Sequence, residues 1–348
     1  MALSKKNNLI DHKVVTFGEV MLKLTAPHFR RFSQTNEFIA TYGGSEANVA
    51  VSLANFGIST EFVTRLPDND LAHSCVDTLR GYGLHTDNIV YGGKRMGIYF
   101  LESGAAFRNS NVVYDREDSG FATIHPGMIN WERIFADATW FHWSGIAASL
   151  SQDGADTCLE ALEVAKRMGL VISCDLNFRK KLWNYGRSAR EVMFPLLQYS
   201  DVVFGAEPEY KQIMGIEPVG FNALNTSFTL DLQGFERFGK QAAAIVPHCR
   251  KFFLELRNTI TSNHNLLAAV VYSDHSLKHT RVYDIEREVD RIGVGDAFVA
   301  GMIAGIIRYP EDDCKALDFA LAASVLKNTV YGDFNCVTVD EVEALMSK

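Results

Sequence analysis

Short apolar runs and longer stretches with helical spacing alternate along most of the chain. Val14 to Phe17 is a β-branched and aromatic run that ends at Gly18, which predicts a buried strand. Residues 45–56 carry apolar side chains at helical spacing, and Gly57 follows as an end signal. The same rhythm predicts strands at 61–65, 88–91, 139–143, 170–175, 201–204, 243–247, 252–256, 266–273 and 279–284, and helices at 69–82, 153–168, 187–198, 207–214, 295–308, 313–328 and 339–347.

Two regions interrupt this rhythm and predict a small separate sheet. The alternation is irregular over 20–42 and breaks again over 96–117, where strand-like stretches at 98–102 and 112–116 flank a loop. These features suit exposed strands away from the main sheet. We therefore expect a single domain over 1–348 with lid strands inserted at the two regions.

The alternation elsewhere predicts a largely parallel central sheet covered by helices. Ligands of such a sheet bind beyond the carboxyl ends of its strands. Residues 216–234 lack clear periodicity and predict an irregular excursion or a short helical segment. The apolar run Ala297–Ile307 has about half the length that a membrane span needs. It predicts a buried helix whose Gly301 and Gly305 let it lie close against the sheet.

The net charge limits the kinds of ligand that the protein can bind, and the cysteine content bears on metal sites and on the cellular compartment. A net charge of −8 and a pI near 5.7 argue against broad binding to nucleic acid or to anionic membranes. Any anionic ligand must therefore be held by local basic groups. The six cysteines have no paired spacing that indicates zinc or a redox dithiol. No apolar stretch typical of a signal peptide follows the amino terminus, and we expect a cytoplasmic protein with reduced cysteines.

The segment 290–301 places a carboxylate beside a glycine-rich turn. Gly293 and Gly295 lack a Cβ, so the turn can leave its N–H groups unpaired where a helix begins, and such a helix end attracts an anion. A carboxylate at that position repels a bound phosphate, so its presence there calls for a functional reason. Accepting a proton from an attacking hydroxyl is such a reason. Asp296 is therefore the candidate general base. The alternative is an ordinary tight turn with Asp296 as a helix cap.

A second glycine pair precedes the predicted helix at 45–56. Gly43 and Gly44 would let a polyhydroxylated ligand approach the backbone, and Asn48 in the first helical turn can both donate to and accept from a hydroxyl. Glu19 lies at the end of the first strand, which we expect next to this helix, and its carboxylate favours a ligand site here. The alternative is a capped loop with no ligand.

Two further clusters lie on predicted strands. Tyr99 shares a strand face with Leu101, and Tyr114 shares one with Arg116. We therefore expect two phenol groups and a guanidinium to converge under the lid. Such groups suit a sugar that carries a carboxylate. The alternative is aromatic packing with a solvated arginine.

At the end of the predicted strand 170–175, Asp175, Asn177 and Arg179 alternate with apolar residues and should point the same way. Arg179 there can meet a phosphate or a carboxylate. A solvated basic loop is the alternative.

Taken in order, these motifs resemble the signatures of the ribokinase-like, PfkB-type carbohydrate kinases. Within that family, the strings at 97–102, 114–116, 144–146 and 177–183 are similar to those of 2-keto-3-deoxygluconate kinases. The resemblance implies a three-layer αβα fold with a mainly parallel sheet and a small β-sheet lid. It also implies ATP as phosphoryl donor, Mg²⁺ on the ATP phosphates, and transfer to the C6 hydroxyl of the sugar acid. It leaves open a monovalent cation such as K⁺. Lid strands with apolar outer faces can pair between subunits, so we expect a homo-oligomer whose size the sequence does not specify.

The resemblance also distributes roles among residues. It implies Asp296 as the base, with the amides of Gly293, Val294 and Gly295 as an anion hole. The implied substrate contacts are Gly43, Gly44, Asn48, Tyr99, Tyr114, Arg116 and Arg179. The implied ATP phosphate contacts are Asn177, Gly293, Gly295 and Asn328, and Glu209 would reach the metal through water.

Two positions and one segment depart from the family pattern. Arg291 replaces the threonine of the motif that ends in Asp296, and Ala206 replaces an asparagine three residues before Glu209. The glycine-rich stretch expected after strand 252–256 is absent, since 257–265 is polar and open. A kinase of a neutral sugar, of the fructokinase or ribokinase type, and a non-catalytic sugar-acid sensor on the same scaffold remain alternatives.

Overall fold

The computed structural model of the protein describes residues 12–221 and 230–348. Its strands are Lys13–Phe17 (β1), Met21–Thr25 (β2), Ile39–Gly43 (β3), Ser59–Val63 (β4), Arg65–Leu66 (β5), Val90–Tyr91 (β6), Ile98–Glu102 (β7), Asn111–Asp115 (β8), Trp140–Ser144 (β9), Val171–Asp175 (β10), Val202–Gly205 (β11), Lys251–Thr261 (β12), His264–Ser273 (β13), Ser276–His279 (β14) and Tyr283–Ile285 (β15). Its α-helices are Ser45–Asn55 (α1), Asp70–Gly81 (α2), Trp131–Phe135 (α3), Gly145–Ser149 (α4), Gln152–Met168 (α5), Ala189–Leu197 (α6), Glu207–Met214 (α7), Leu232–Ile245 (α8), Val294–Arg308 (α9), Asp313–Lys327 (α10) and Val339–Met346 (α11). Short 3₁₀ turns cover Pro27–Phe29 and Phe32–Gln34.

The main sheet is parallel over most of its width. Its order is β14-β13-β12-β11-β10-β9-β1-β4, with β15 paired to β13. All pairings from β12 across to β4 are parallel, and the pairings of β13 with β12, β14 and β15 are antiparallel. Parallel strands are covered on both faces, which explains why these strands are near-continuous apolar runs in the sequence.

Two apolar clusters lie on opposite faces of this sheet. Along β9, Trp140 belongs to the cluster with α1, α9 and α10, whereas the next residue, Phe141, belongs to the cluster with α5 and α6. Successive side chains of a strand point to opposite faces, so the alternation separates the two cores. The architecture is therefore a three-layer αβα domain, as expected.

A four-stranded sheet of order β3-β2-β7-β8 forms the lid. Its register aligns Lys23, Tyr99 and Tyr114 across three neighbouring strands, so these side chains share a face. Tyr99 and Leu101 are buried while Phe100 between them is half-buried, which confirms the predicted alternation. The strands fall in the regions 20–42 and 96–117, except that β3 extends one residue further, to Gly43.

The predicted strand at 243–247 is wrong. Most of this apolar run is the last turn of α8, in which Phe235, Phe238 and Ala242 are buried at helical spacing. Alanine favours a helix, and glycines at positions 234 and 239 weakened the helical pattern upstream. The predicted excursion at 216–234 lies partly outside the described residues, and α8 begins near its end.

The short helices α3 and α4 were not predicted, since five residues are too few to show a helical period. The close approach expected between α9 and the sheet is made to α10 instead. A Cβ on Gly301 would lie 2.7 Å from Cα of Ala320, and one on Gly305 would lie 2.7 Å from the carbonyl oxygen of Ala316. Among the described residues, none of the helices combines the length and apolar character that a membrane crossing demands.

Candidate active site

The glycine turn before α9 forms as the sequence predicts. Gly293 has a φ of 78°, in the left-handed region that favours glycine. A Cβ there would also lie 2.1 Å from the carbonyl oxygen of Asp333. The Val294 amide makes a long hydrogen bond, 3.4 Å, to the Arg291 carbonyl, while the amides of Gly293 and Gly295 have no acceptor among the described residues. The turn thus has amide groups free to bind an anion.

Asp296 lies in the first turn of α9, where two side chains of α1 hold it. Its Oδ1 accepts a hydrogen bond from Ser45 Oγ at 2.7 Å, and its Oδ2 accepts one from Asn48 Nδ2 at 2.7 Å. Asn177, after β10, donates from Nδ2 to Ser45 Oγ at 2.9 Å. Hydrogen bonds therefore connect the Asp296 carboxylate directly to α1 and, through Ser45, to the segment after β10.

The surroundings of Asp296 shift its proton affinity toward that of a useful base. Burial raises the pKa of its carboxyl, and the charge of Asp333 adds to the rise. The hydrogen bonds from Asn48 and Ser45, and the charge of Arg179, lower the pKa and so limit the shift. A carboxylate with a raised pKa accepts a proton more readily than an ordinary aspartate.

A cavity of about 400 Å³ opens over Asp296 and collects most of the predicted residues. The predicted site residues that line it are Gly44, Asn48, Tyr99, Tyr114, Arg116, Asn177, Arg179, Glu209, Gly293, Gly295 and Asp296. They come from the lid, from α1 and from the carboxyl edge of the main sheet. The expectation that ligands bind at that edge agrees with this placement.

Three predicted residues do not line the cavity. Gly43 packs against Asp333, since a Cβ on it would lie 2.0 Å from the Asp333 carboxylate, and the Val294 side chain is fully buried. Asn328 ends α10, where its Nδ2 donates to the Ser324 carbonyl at 2.8 Å. Gly43 and Val294 thus shape the backbone of the site, and a role for Asn328 with ATP stays a prediction.

Arg116 differs from the free cation that the sequence suggested. Its Nε donates to Glu19 Oε2 at 2.7 Å, and Ser119 Oγ donates to Glu19 Oε1 at 2.6 Å. The Arg116 side chain is only 5% exposed, so this is a buried ion pair whose charge is already balanced. Arg179 is exposed and has no hydrogen-bond acceptor among the described residues.

Asp333 is the main residue that sequence reasoning missed. Its Oδ1 accepts a hydrogen bond from Lys23 Nζ at 2.6 Å, and its Oδ2 accepts one from the Tyr99 hydroxyl. Lys23 Nζ also lies 3.8 Å from Asp290, whose carboxylate accepts the Gly332 amide at 3.1 Å. This buried network joins the lid to the loops around the glycine turn. No local motif signals it, because Lys23 and Asp333 are 310 positions apart.

Comparison with known proteins places the chain among sugar-phosphorylating enzymes. The family model described as pfkB family carbohydrate kinase matches residues 11–339. The chain belongs to this family. The predicted ribokinase-like fold and kinase class are thereby confirmed, and the residues described above form the candidate active site of a carbohydrate kinase.

Individual relatives of this kinase differ in the sugar that their names specify. A crystal structure of 2-dehydro-3-deoxygluconokinase from Thermotoga maritima is 37% identical, with a TM-score of 0.90, and the match covers 97% of this chain and 100% of that chain. The 2-dehydro-3-deoxygalactonokinase of Haloferax volcanii is 30% identical over 339 residues, 96% of each protein. Fructokinase-1 of Oryza sativa subsp. japonica is 26% identical over 343 residues, 95% of this chain and 96% of the relative.

In this kinase, Glu209 clamps two loops together. Its Oε1 accepts the Phe178 amide at 3.1 Å and its Oε2 accepts the Ala206 amide at 2.8 Å, so it fixes the turn after β10 to the start of α7. Burial raises the pKa of Glu209 and, with the charge of Glu209, that of the neighbouring Asp175. The described residues contain no group of three or more metal-ligating side chains, and the indirect metal role of Glu209 stays a prediction.

The polar segment at 257–265 proves to be a β-hairpin. Strand β12 continues to Thr261 and pairs with β13, which begins at His264. Glu255 and Arg257 on β12 line the cavity, with the buried Leu256 between them pointing the other way. Sequence reasoning missed both residues, although period-2 alternation continued beyond 256 could have found them.

Proposed function

We propose that this kinase transfers the terminal phosphoryl group of ATP to the C6 hydroxyl of 2-keto-3-deoxygluconate, which is also called 2-dehydro-3-deoxygluconate. The names of the relatives from T. maritima and H. volcanii support a sugar acid of this class. The observation that carries the proposal is one cavity that holds a positioned carboxylate, Asp296, and an unpaired guanidinium, Arg179. The first suits a hydroxyl that must lose a proton, and the second suits the carboxylate of the sugar acid.

The proposed reaction uses Asp296 as the base. The C6 hydroxyl donates its proton to Asp296 while its oxygen forms a bond to the terminal phosphorus of ATP, and the bond from that phosphorus to the bridging oxygen breaks to release ADP. The unpaired amides of Gly293 and Gly295 stabilise the negative charge of the transferring group. Asp296 then returns its proton to solvent. Ser45 and Asn48 keep the carboxylate oriented throughout.

The cavity also fits the cation that ATP brings. Mg²⁺ neutralises the phosphates of ATP when bound, and it keeps several water ligands in protein sites. Asp175 and Glu209 line the cavity with carboxylate oxygens, which are suitable partners for such waters. Because Glu209 already accepts two amides, we expect its contact with the ion to be indirect.

A neutral sugar such as fructose is the competing acceptor, and one observation favours it. Of the two arginines predicted to contact the substrate, Arg116 is neutralised by Glu19. Only Arg179 then offers a guanidinium without a partner among the described residues to the carboxylate of a sugar acid. If Arg179 instead faced solvent in the complex, no cation would select an acid. The silent sensor is disfavoured, because the chain belongs to a kinase family and retains Asp296.

The test is ADP release with Mg-ATP and 2-keto-3-deoxygluconate, its galactose-derived epimer, fructose or ribose. We expect turnover with the keto-deoxy acids and a loss of about 10³-fold in kcat for Asp296→Asn. Arg179→Ala should raise KM for the acid by about 10- to 100-fold, the value of a charge-assisted hydrogen bond. Arg250→Ala, which removes a surface charge at the amino end of β12, is the matched control. Turnover of fructose or ribose alone would replace the proposed acceptor.

The family relationship leaves assembly and compartment open, and we propose a cytoplasmic homo-oligomer. All six cysteines are free, which fits a reducing compartment. The outer face of the lid exposes apolar groups, with Phe38 at 38% and Val113 at 47% exposure. Light scattering of Val113→Lys tests whether this face joins subunits, since a buried lysine there would dissociate them.

A further inference from the structure

The cavity contains two arginines that the proposed sugar-acid chemistry does not use. Arg257 projects from β12, and Arg291 lies two residues before Gly293. Both side chains line the cavity and are half-buried. Neither guanidinium has a hydrogen-bond acceptor or an ion-pair partner among the described residues. Half-buried cations without acceptors are costly unless a ligand supplies the missing negative charge.

The two charges lie close enough to affect each other. Burial lowers the pKa of the Arg291 guanidinium, and the charge of Arg257 lowers it further. The acidic groups nearby do not form ion pairs with them: Glu288 accepts from Asn265 Nδ2 at 2.6 Å, and Glu255 accepts from the Ser324 hydroxyl. Both arginines act electrostatically on Glu288, whose pKa burial raises. Two like charges that face one cavity are typical of a site for a multiply charged anion.

The position of this pair separates it from Arg179. Arg291 precedes the turn whose Gly293 and Gly295 amides are unpaired. Gly295 faces open space, because the nearest group to a Cβ placed on it would be the Glu255 carboxylate at 4.0 Å. Arg179 instead follows β10 and acts on Asp296 directly. An anion held by Arg257 and Arg291 would therefore touch the glycine turn on the side of β12.

The strand that carries Arg257 is held rigidly. Arg257 pairs with Leu267 in the β12–β13 ladder. At the hairpin end, the Ser262 amide donates to the Ala106 carbonyl at 2.7 Å and Ser262 Oγ donates to the Arg108 carbonyl at 2.8 Å. These bonds tie the hairpin to the loop between β7 and β8. A guanidinium on such a strand is positioned in advance for a planar, two-point contact with phosphate.

We propose that Arg257 and Arg291 form a two-arginine clamp for the polyphosphate chain of the nucleotide donor, beside the glycine turn. The clamp rests on the proposed phosphoryl transfer and specifies which residues of this chain hold the donor. It assigns a binding role to Arg291 at the position where a threonine was expected. It assigns a second binding role to Arg257, which lies on a strand in the segment where a glycine-rich stretch was expected.

The test compares KM for ATP with KM for the acceptor in Arg257→Ala, Arg291→Ala and the two lysine variants. Each alanine variant should raise KM for ATP by about 10- to 100-fold and leave KM for the acceptor within about twofold. Lysine should restore only part of the loss, because it cannot make the two-point contact. Arg179→Ala should show the reverse pattern, and Arg250→Ala should change neither constant.

A second readout does not depend on turnover. Calorimetric titration with Mg-ADP and with tripolyphosphate should show a loss of about 10-fold or more in affinity for each alanine variant, with the melting temperature of the free protein retained. This titration tests whether the two arginines bind the polyphosphate chain, even if the acceptor proves to be another sugar or if no acceptor turns over. Unchanged affinity for Mg-ADP in both folded variants, or an increase in KM for the acceptor alone, would overturn the clamp.

Discussion

On the lid, the cationic groups near the cavity already have carboxylate partners, whereas on the edge of the main sheet they do not. Lys23 is bound to Asp333 and Arg116 to Glu19, and all four side chains are buried. Arg179, Arg257 and Arg291 line the same cavity, and their guanidiniums have no acceptor in the part of the chain that the structure describes. Paired charges offer a fixed, nearly neutral surface that suits hydroxyl groups. Unpaired guanidiniums at the sheet edge suit the carboxylate and phosphates that the two substrates carry.

This contrast also separates structural from ligand-binding roles. Breaking a buried pair leaves an uncompensated charge in the folded protein, so the cost falls on stability. Removing an unpaired arginine leaves the free protein largely unaffected, so the cost falls on binding. Variants in the two regions should therefore differ in which measurement they change.

The largest expected effect on stability comes from Asp333→Ala, which breaks the lid pairing. The change removes the nearest carboxylate partner of Lys23, which is 2% exposed, and leaves Asp290 at 3.8 Å, so it should lower the free energy of unfolding by about 3–5 kcal/mol. Urea unfolding measures the loss. Asp137→Ala removes one of the two carboxylate partners of Lys13, at a site that is 71% exposed, while Glu61 stays 2.7 Å from Lys13 Nζ, and about 0–1 kcal/mol is expected there. Equal losses for the two variants would show that the buried pair has no special structural role.

Glu46 offers a second test, since its carboxyl is buried, accepts a hydrogen bond from the Ser144 hydroxyl, and forms no ion pair with any described residue. Burial raises its pKa from an ordinary value of 4.5 to about 7. The folded state therefore binds more protons than the unfolded state between these values, and stability should fall as pH rises through this window. The total is at most about 3 kcal/mol. Glu46→Gln should flatten the pH dependence of the unfolding free energy over pH 4.5–7. An unchanged slope would mean that Glu46 is ionised in the folded protein.

A smaller effect, on the pH dependence of kcat, is expected from the surroundings of Asp296, where the lid side and the sheet edge meet. Asn48 donates to the Asp296 carboxylate and so lowers its pKa against the effect of burial. Since the base works deprotonated, activity is lost as pH falls through that pKa. Asn48→Ala should move the acid limb of the kcat profile to higher pH, and Ser45→Ala should move it in the same direction. If the acid limb of the kcat profile stayed in place in both variants, the pKa of Asp296 would not be the one that sets it.

Much of the site could be predicted because its residues follow local rules. Gly293 and Asp296 lie three positions apart in one helix-start motif, and Asn177 and Arg179 follow the end of a strand at alternate positions. Their positions in the sequence pattern therefore place them at the carboxyl edge of the sheet. The strand and helix alternation likewise predicts the αβα layers. Continuous apolar strands are legible in sequence because a parallel sheet is covered on both faces.

The rest depends on contacts between distant segments. Lys23 meets Asp333 across 310 positions, and Arg116 meets Glu19 across 97, so their pairing has no local signature. Without that pairing, Arg116 and Arg179 looked alike in sequence. The hairpin that presents Arg257 was taken for a loop, because its polar surface residues obscured the alternation. The strand predicted at 243–247 failed for a similar reason, since a short alanine-rich run fits either period until its upstream packing is known.

The most direct test of the contrast is a set of initial-rate measurements on Arg116→Ala, Arg179→Ala and Arg291→Ala, with both substrates varied and unfolding monitored in parallel. The account predicts that Arg116→Ala mainly lowers stability, Arg179→Ala raises KM for the sugar acid, and Arg291→Ala raises KM for ATP. If all three variants instead raised the same KM with no loss of stability in Arg116→Ala, the division between lid and sheet edge would be wrong.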